Sequence, residues 1–299
     1  MWVVKYRKLF YTFSGLLVLA SAAAIAFWGL LPGIDFTGGT LVEVAYPVNE
    51  RPAQPAIVSA LSAIDPAASI RPSGNDEYIV RMKAVDQAGK ASVMQALSLS
   101  GTASTTIKSF DSIGPVLGAE ALRKAYWSII LVIIGIVLYI TLAFRKVSEP
   151  VSSWKYGLTA IVALIHDVII PTGVFAVLGH YAGYEVDTLF VTALLVVLGF
   201  SVHDTIVVFD RVRENLLHSG GKSFAAVVGE SISQTFTRSI NTSMTTLIAL
   251  VVLYILGGAA TAHFTLALII GIAAGTYSSI FIGSPLLVTL ENWSKVKKS

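Results

Sequence analysis

The chain has no cysteine in 299 residues, which excludes a disulfide framework, a thiolate metal site and a cysteine nucleophile. Charge is scarce as well: Asp, Glu, Lys and Arg make up 13% of the sequence, against about 25% in an ordinary soluble domain. With 55% hydrophobic residues and a mean hydropathy of +0.74, a purely soluble enzyme is ruled out. The 21 basic residues exceed the 18 acidic ones by a net +3, which is no argument for nucleic acid as a partner. No G-x-x-x-x-G-K-[ST] loop occurs, so ATP use by this chain is not expected.

What is present is apolar sequence in long runs. A hydrocarbon core about 30 Å thick takes about 20 residues of helix. Six runs reach that scale, at residues 9–31, 125–144, 156–178, 189–209, 240–256 and 264–290, with Pro285 expected to bend the last. The first is too long for a signal-peptide core and lacks an A-x-A-like cleavage site, so it reads as a retained anchor. Lys5, Arg7, Lys8, Arg145, Lys146, Lys155, Arg211, Arg213, Lys222, Arg238, Lys295, Lys297 and Lys298 fall on one side of these runs, while residues 180–187 and 257–263 opposite carry no Lys or Arg. The positive-inside rule then puts both termini in the cytoplasm of a multi-pass inner-membrane protein.

The expected organisation is a first span within 1–31, an extracytoplasmic domain at 32–122, a five-helix bundle at 123–291 and a basic tail at 292–299. In the domain, residues 40–46, 69–71, 78–83 and 102–110 read as strands, and 53–64 and 87–99 as helices. The order β-α-β-β-α-β predicts an α+β ferredoxin-like fold inserted between the first two of six transmembrane helices. Fold alone assigns it no role, and a small structural cap and a platform for a substrate or partner both fit.

A charge near the middle of a span costs at least about 2.5 kcal/mol and needs a reason. Asp204 shares a helical face with Ser201 and Thr205. Arg238 is followed by Asn241, Thr242, Thr245 and Thr246 at helical spacing. The two stripes lie on consecutive antiparallel spans, so Asp204 and Arg238 are candidates for either a packing ion pair or a proton-coupling site. His166 and Asp167 occupy the third span; as adjacent helix positions they are expected to serve separate contacts, in packing or a polar relay. The segment around Gly220-Gly221 and on to Gln234 reads as two short helices, the second lying on the membrane surface.

One external domain followed by five closely spaced helices resembles half of a resistance-nodulation-division exporter. Three motifs narrow the resemblance to the SecF branch of the SecD/SecF protein-export family. They are Ile34-Asp35-Phe36-Thr37-Gly38-Gly39-Thr40, Leu164-Ile165-His166-Asp167-Val168, and the run from His203-Asp204-Thr205 through Asp210-Arg211-Val212-Arg213-Glu214-Asn215. Asp35, Phe36, Gly38 and Gly39 match the family's double-glycine signature. The resemblance implies a non-enzymatic subunit that works with SecD and the SecYEG channel on a translocating, unfolded preprotein. It also implies coupling by protons, with sodium as the alternative ion and no cofactor, and assigns the span-four aspartate and span-five arginine to Asp204 and Arg238. Three other classes compete. An intramembrane aspartyl protease would use Asp167 and Asp204, but Gly199-Phe200-Ser201-Val202-His203 precedes Asp204 where such enzymes carry G-x-G-D. A small-molecule exporter subunit and a purely structural subunit are the remaining two.

Overall fold

The computed structural model describes residues 2–145 and 152–296, so Lys146, Lys297 and Lys298, and with them the end of the basic tail, lie outside the described residues. The chain divides into two compact units, Met1–Leu31 with Tyr126–Ser299, and Pro32–Ala125.

In the second unit a single helical turn, α3 (Ile34–Thr37), leads into β1 (Gly39–Ala45). Then follow α4 (Gln54–Leu61), β2 (Ser69–Ser73), β3 (Glu77–Met82), α5 (Gln87–Leu97) and β4 (Thr106–Ile113). The strands form one sheet in the order β2-β3-β1-β4, with every neighbouring pair antiparallel. Period-two burial explains the register. Val42, Val44, Tyr78, Val80 and Met82 point into a core closed by Ile57 and Leu61 of α4 and by Val93 and Leu97 of α5. Burying each such aliphatic side chain contributes about 1.5–3 kcal/mol. Asp86 caps α5 by accepting from the Gly89 amide at 2.9 Å. Strand β4 starts at Thr106 rather than 102, because Leu99, Ser100 and Gly101 take positive φ in the turn after α5.

Six helices are long and apolar enough to cross a membrane. They are α2 (Arg7–Trp28), preceded by the short α1 (Trp2–Lys5), then α6 (Pro115–Ala143), α7 (Ser153–Ala182), α8 (Thr188–Leu217) and α9 (Phe224–Leu256). The sixth is made of α10 (Ala259–Ser278), a π-helical turn (Ser279–Gly283) and α11 (Ser284–Val296). Small residues set the packing. A Cβ at Gly173 of α7 would lie 2.3 Å from Ser21 Cβ of α2, and one at Gly271 of α10 would lie 2.3 Å from Val197 Cγ2 of α8. These backbones are therefore closer than any side chain there would permit.

One expectation is corrected. No surface helix precedes the fifth span: α9 is continuous from Phe224, capped by Ser223, and Gly220 and Gly221 are turn residues with φ of 54° and 86°. The bend expected at Pro285 is preceded by the π turn, where Ser284 Oγ donates to the Ser279 carbonyl at 2.9 Å.

Candidate functional site

Among the buried carboxylates of the membrane unit, Asp167 and Asp204 are each met by hydroxyls from neighbouring helices. Asp167 of α7 is fully buried. Its Oδ2 accepts from Ser278 Oγ of α10 at 2.8 Å and from Ser201 Oγ of α8, and its Oδ1 lies 2.8 Å from His166 Nδ1. The expectation of separate contacts for His166 and Asp167 is thus overturned. Their Cα–Cβ bonds diverge, but rotation about χ1 and χ2 brings the ring edge back to the carboxylate. His166 also stacks on Tyr277, with ring centroids 6.1 Å apart and 22° between planes.

Asp204 of α8 is buried too, and its Oδ2 accepts from Ser243 Oγ of α9 at 3.3 Å. Thr276 Oγ1 of α10 lies 2.6 Å from Ser243 Oγ. Thr205 is turned inward and donates to the Ser201 carbonyl at 3.1 Å. Ser201 therefore serves both halves of the site, with its hydroxyl on Asp167 and its carbonyl on the residue after Asp204. A Cβ at Gly275 would lie 2.9 Å from Ser201 Cβ, so α10 presses directly on this serine.

The Asp204–Arg238 ion pair is absent: among the described residues Asp204 has no basic partner within bonding distance, and Arg238 is exposed. Asn241, Thr242 and Thr245 are exposed with it, and Thr246 is half-buried. The inward face of α9 is instead Ser231, Thr235, Ser239 and Ser243. Successive helix residues are turned by about 100°, so the residue that follows Arg238, not Arg238 itself, points at α8 and α10. Ser243 and Thr276 escaped the sequence reading; the i, i+4 pair Ser239 and Ser243 was the available signal.

The rest of the third motif builds the end of the α8–α9 pair. Arg211 donates from Nη1 to Glu214 and from Nε to Gln234 Oε1, each at 2.6 Å, and Asn215 Nδ2 donates to Ser231 Oγ and Gln234 Oε1, each at 2.9 Å.

In the α+β unit the double glycine has a steric origin. Gly38 sits at φ 71°, ψ 164° and Gly39 at φ 135°, regions that side chains resist. A Cβ at Gly38 would lie 2.7 Å from Pro115 Cα, and one at Gly118 would lie 2.7 Å from the Gly38 nitrogen. Asp35 lies in the first turn of α3 and Phe36 is buried beside this crossing. Just past the end of β3, the Lys83 amide donates to Asp65 at 2.7 Å, and the Ala67 amide donates to it at 3.0 Å. Those two donors hold its carboxyl below the usual range. Among the described residues no group of three or more His, Asp or Glu is placed to hold a metal ion.

A chain with six helices long and apolar enough to cross a membrane, with carboxylates buried between them and an α+β unit following the first, is a multi-pass membrane protein. The family described as "Protein export membrane protein SecD/SecF, C-terminal" matches residues 93–293. The protein translocase subunit SecF of Thermobaculum terrenum is 41% identical over 310 residues, which cover 97% of this chain and 94% of that one. The SecF subunit of Anaerolinea thermophila is 36% identical over 296 residues, covering 97% and 95%. The crystal structure of SecDF, a translocon-associated membrane protein from Thermus thermophilus, superposes with a TM-score of 0.82 at 29% identity, over 97% of this chain and 38% of that longer chain. The chain belongs to the SecD/SecF family of protein export membrane proteins, on its SecF side, and is a multi-pass membrane protein with a role in protein export.

Proposed function

We propose that this chain couples the proton-motive force, together with SecD, to the late outward movement of preproteins through the SecYEG channel. The observation that carries the reading is Asp204, a carboxylate buried inside a span, met by the Ser243 hydroxyl and, among the described residues, bonded to no basic side chain. Such a group is inexpensive when protonated and costly when charged, so its protonation state responds to any change in what surrounds it.

Arg238 supports the reading from the other side. An arginine, an asparagine and threonines on the exposed face of a spanning helix are poorly suited to lipid, and the longer SecDF chain has further sequence beyond the matched part. In our reading that face of α9 meets the SecD half, whose own carboxylate sits opposite Arg238. The site is then completed across two subunits, and proton as coupling ion, with no cofactor, follows from this pairing of a titrating acid and a fixed cation. The α+β unit, read as a ferredoxin-like domain between the first two spans, lies outside the cytoplasmic membrane with both termini inside. One charge crossing 100 mV is worth about 2.3 kcal/mol, enough to bias a two-state domain movement of a few kcal/mol.

The test is preprotein export into inverted membrane vesicles carrying this chain with SecD, with and without an ionophore. Asp204→Asn in an assembled complex is expected to remove the ionophore-sensitive part of export. Undiminished gradient-dependent export would leave Asp204 a packing residue and refute the coupling role.

A further inference from the structure

The His166–Asp167 pair is a second buried ionisable group that the reading above does not use. Both side chains are buried in α7, His166 at 4% and Asp167 at 0% exposure. The groups facing the pair are Ser201 of α8, Tyr277 and Ser278 of α10 and, behind Tyr277, Ser14 of α2, whose hydroxyl lies 3.4 Å from the tyrosine oxygen. None of these carries a charge. Asp204 stands one turn beyond Ser201 on α8, and His203 and the Arg238 of α9 are exposed. Lys155, the one lysine or arginine of α7, is engaged with the Leu290 carbonyl and Ser294, about 18 Å away along the helix, and His180 lies at the far end of α7. No lysine or arginine among the described residues bonds to either member of the pair.

With a neutral ring donating from Nδ1 to Asp167, the pair would carry one uncompensated negative charge inside a span, an expensive arrangement. One proton removes it. The place where that proton adds is also evident: His166 Nε2 is buried and has no hydrogen-bond partner, so no bond must break for a proton to arrive there. One backbone bond of the otherwise continuous helix is missing here, because Pro171 lacks the N–H that the Asp167 carbonyl would otherwise accept from. We propose that His166 and Asp167 form a second proton-binding site of the membrane unit, taking up one proton at His166 Nε2 to give an imidazolium–carboxylate pair. In balance, neutral imidazole and carboxylate plus one proton become imidazolium and carboxylate, and the proton leaves by the same nitrogen. The pair is tied to Asp204 through Ser201, whose hydroxyl serves Asp167 and whose carbonyl holds Thr205. This deepens the proton-coupling reading, yet its test reads His166 alone and stands whether or not Asp204 drives export.

The full chain, labelled with ¹⁵N at histidine and reconstituted in lipid, carries five histidines, and His166→Gln identifies the resonances of His166. In the acidified sample both ring nitrogens of His166 are expected to be protonated in the wild type. In Asp167→Asn the ring is expected to be neutral at the same pH, whereas Ser278→Ala, which keeps the pair and removes only one donor, retains the imidazolium. Acidification should load one proton fewer into His166→Gln than into the wild type. A neutral His166 in the wild type, an imidazolium that survives Asp167→Asn, its loss in Ser278→Ala, or equal proton uptake by His166→Gln would each overturn the proposal.

Discussion

Replacing Gly38 by alanine tests whether the double glycine is a steric requirement of the α+β unit. Gly38 is held at φ 71°, ψ 164°, a region that costs a side-chain-bearing residue about 1–3 kcal/mol. Its new Cβ would also lie 2.7 Å from Pro115 Cα and 2.9 Å from Pro115 N. Both are backbone atoms with no rotamer to relieve the clash, so an overpacking penalty of about 1–3 kcal/mol is added. The combined cost is about 2–6 kcal/mol. Gly74 supplies the control: it has φ 56° with nothing within 4 Å of an added Cβ, so alanine there costs only the left-handed strain of about 1–2 kcal/mol. Hydrogen exchange of the β1 amides in the full-length protein reads the difference locally. Gly38→Ala is expected to speed their exchange by about 30-fold or more, the equivalent of 2 kcal/mol, with a smaller effect from Gly74→Ala. Equal effects of the two substitutions would show that the close approach to Pro115 is not what selects glycine.

Three further outcomes follow from the same geometry. Asp65 has a folded pKa below its unfolded value because two backbone amides donate to it. The stability it contributes is therefore fully present above the unfolded pKa of about 3.9 and is lost as pH falls through the lower folded value. Asp65→Asn should remove that acid dependence from the exchange of the Lys83 and Ala67 amides, and an unchanged profile would refute the assignment. Tyr46 donates to the Leu97 carbonyl at 2.9 Å from a buried position, and burial pushes its hydroxyl up to about 12. Tyr46→Phe should leave that carbonyl unpaired and cost about 1–3 kcal/mol, measured by exchange in β1 and α5. Gly173→Leu should separate α2 from α7 and lower the thermal midpoint of the detergent-solubilised protein, since Ser21 Cβ leaves no room even for a methyl group; an unaltered midpoint would mean that the two helices do not depend on this crossing.

The six spans and the β-α-β-β-α-β element order were legible in sequence because each depends on a period or a length that local residues set by themselves. Residues 78–83 alternate buried and part-buried side chains as β3 does in the structure, and the apolar runs exceed what any soluble helix needs. Segment ends were less legible. Helix α6 begins at Pro115, about ten residues before its apolar run, and α9 begins at Phe224 with a polar first half. Hydropathy marks where lipid begins, whereas a helix continues as long as its backbone bonds and neighbouring helices support it.

The facing of α9 was the least legible feature, and the reason bears on how the site works. The helix carries two polar edges, Arg238, Asn241, Thr242 and Thr245 on one and Ser231, Thr235, Ser239 and Ser243 on the other. Sequence favours the edge with the charge, since an intramembrane charge demands a partner. Packing decides otherwise: serines are small enough to let α9 approach α8 and α10, and an arginine is not. Serine and threonine hydroxyls then line the buried carboxylates, neutral groups that donate to a charged acid and tolerate a protonated one. Arg238, kept outside this layer, is left to act on whatever chain covers the outer edge. If that chain brings an acid, Arg238→Leu should weaken its association with this one while leaving the Ser243–Asp204 contact intact. Co-purification of SecD with wild type and variant measures it, and equal recovery would place Arg238 at a surface that SecD does not occupy.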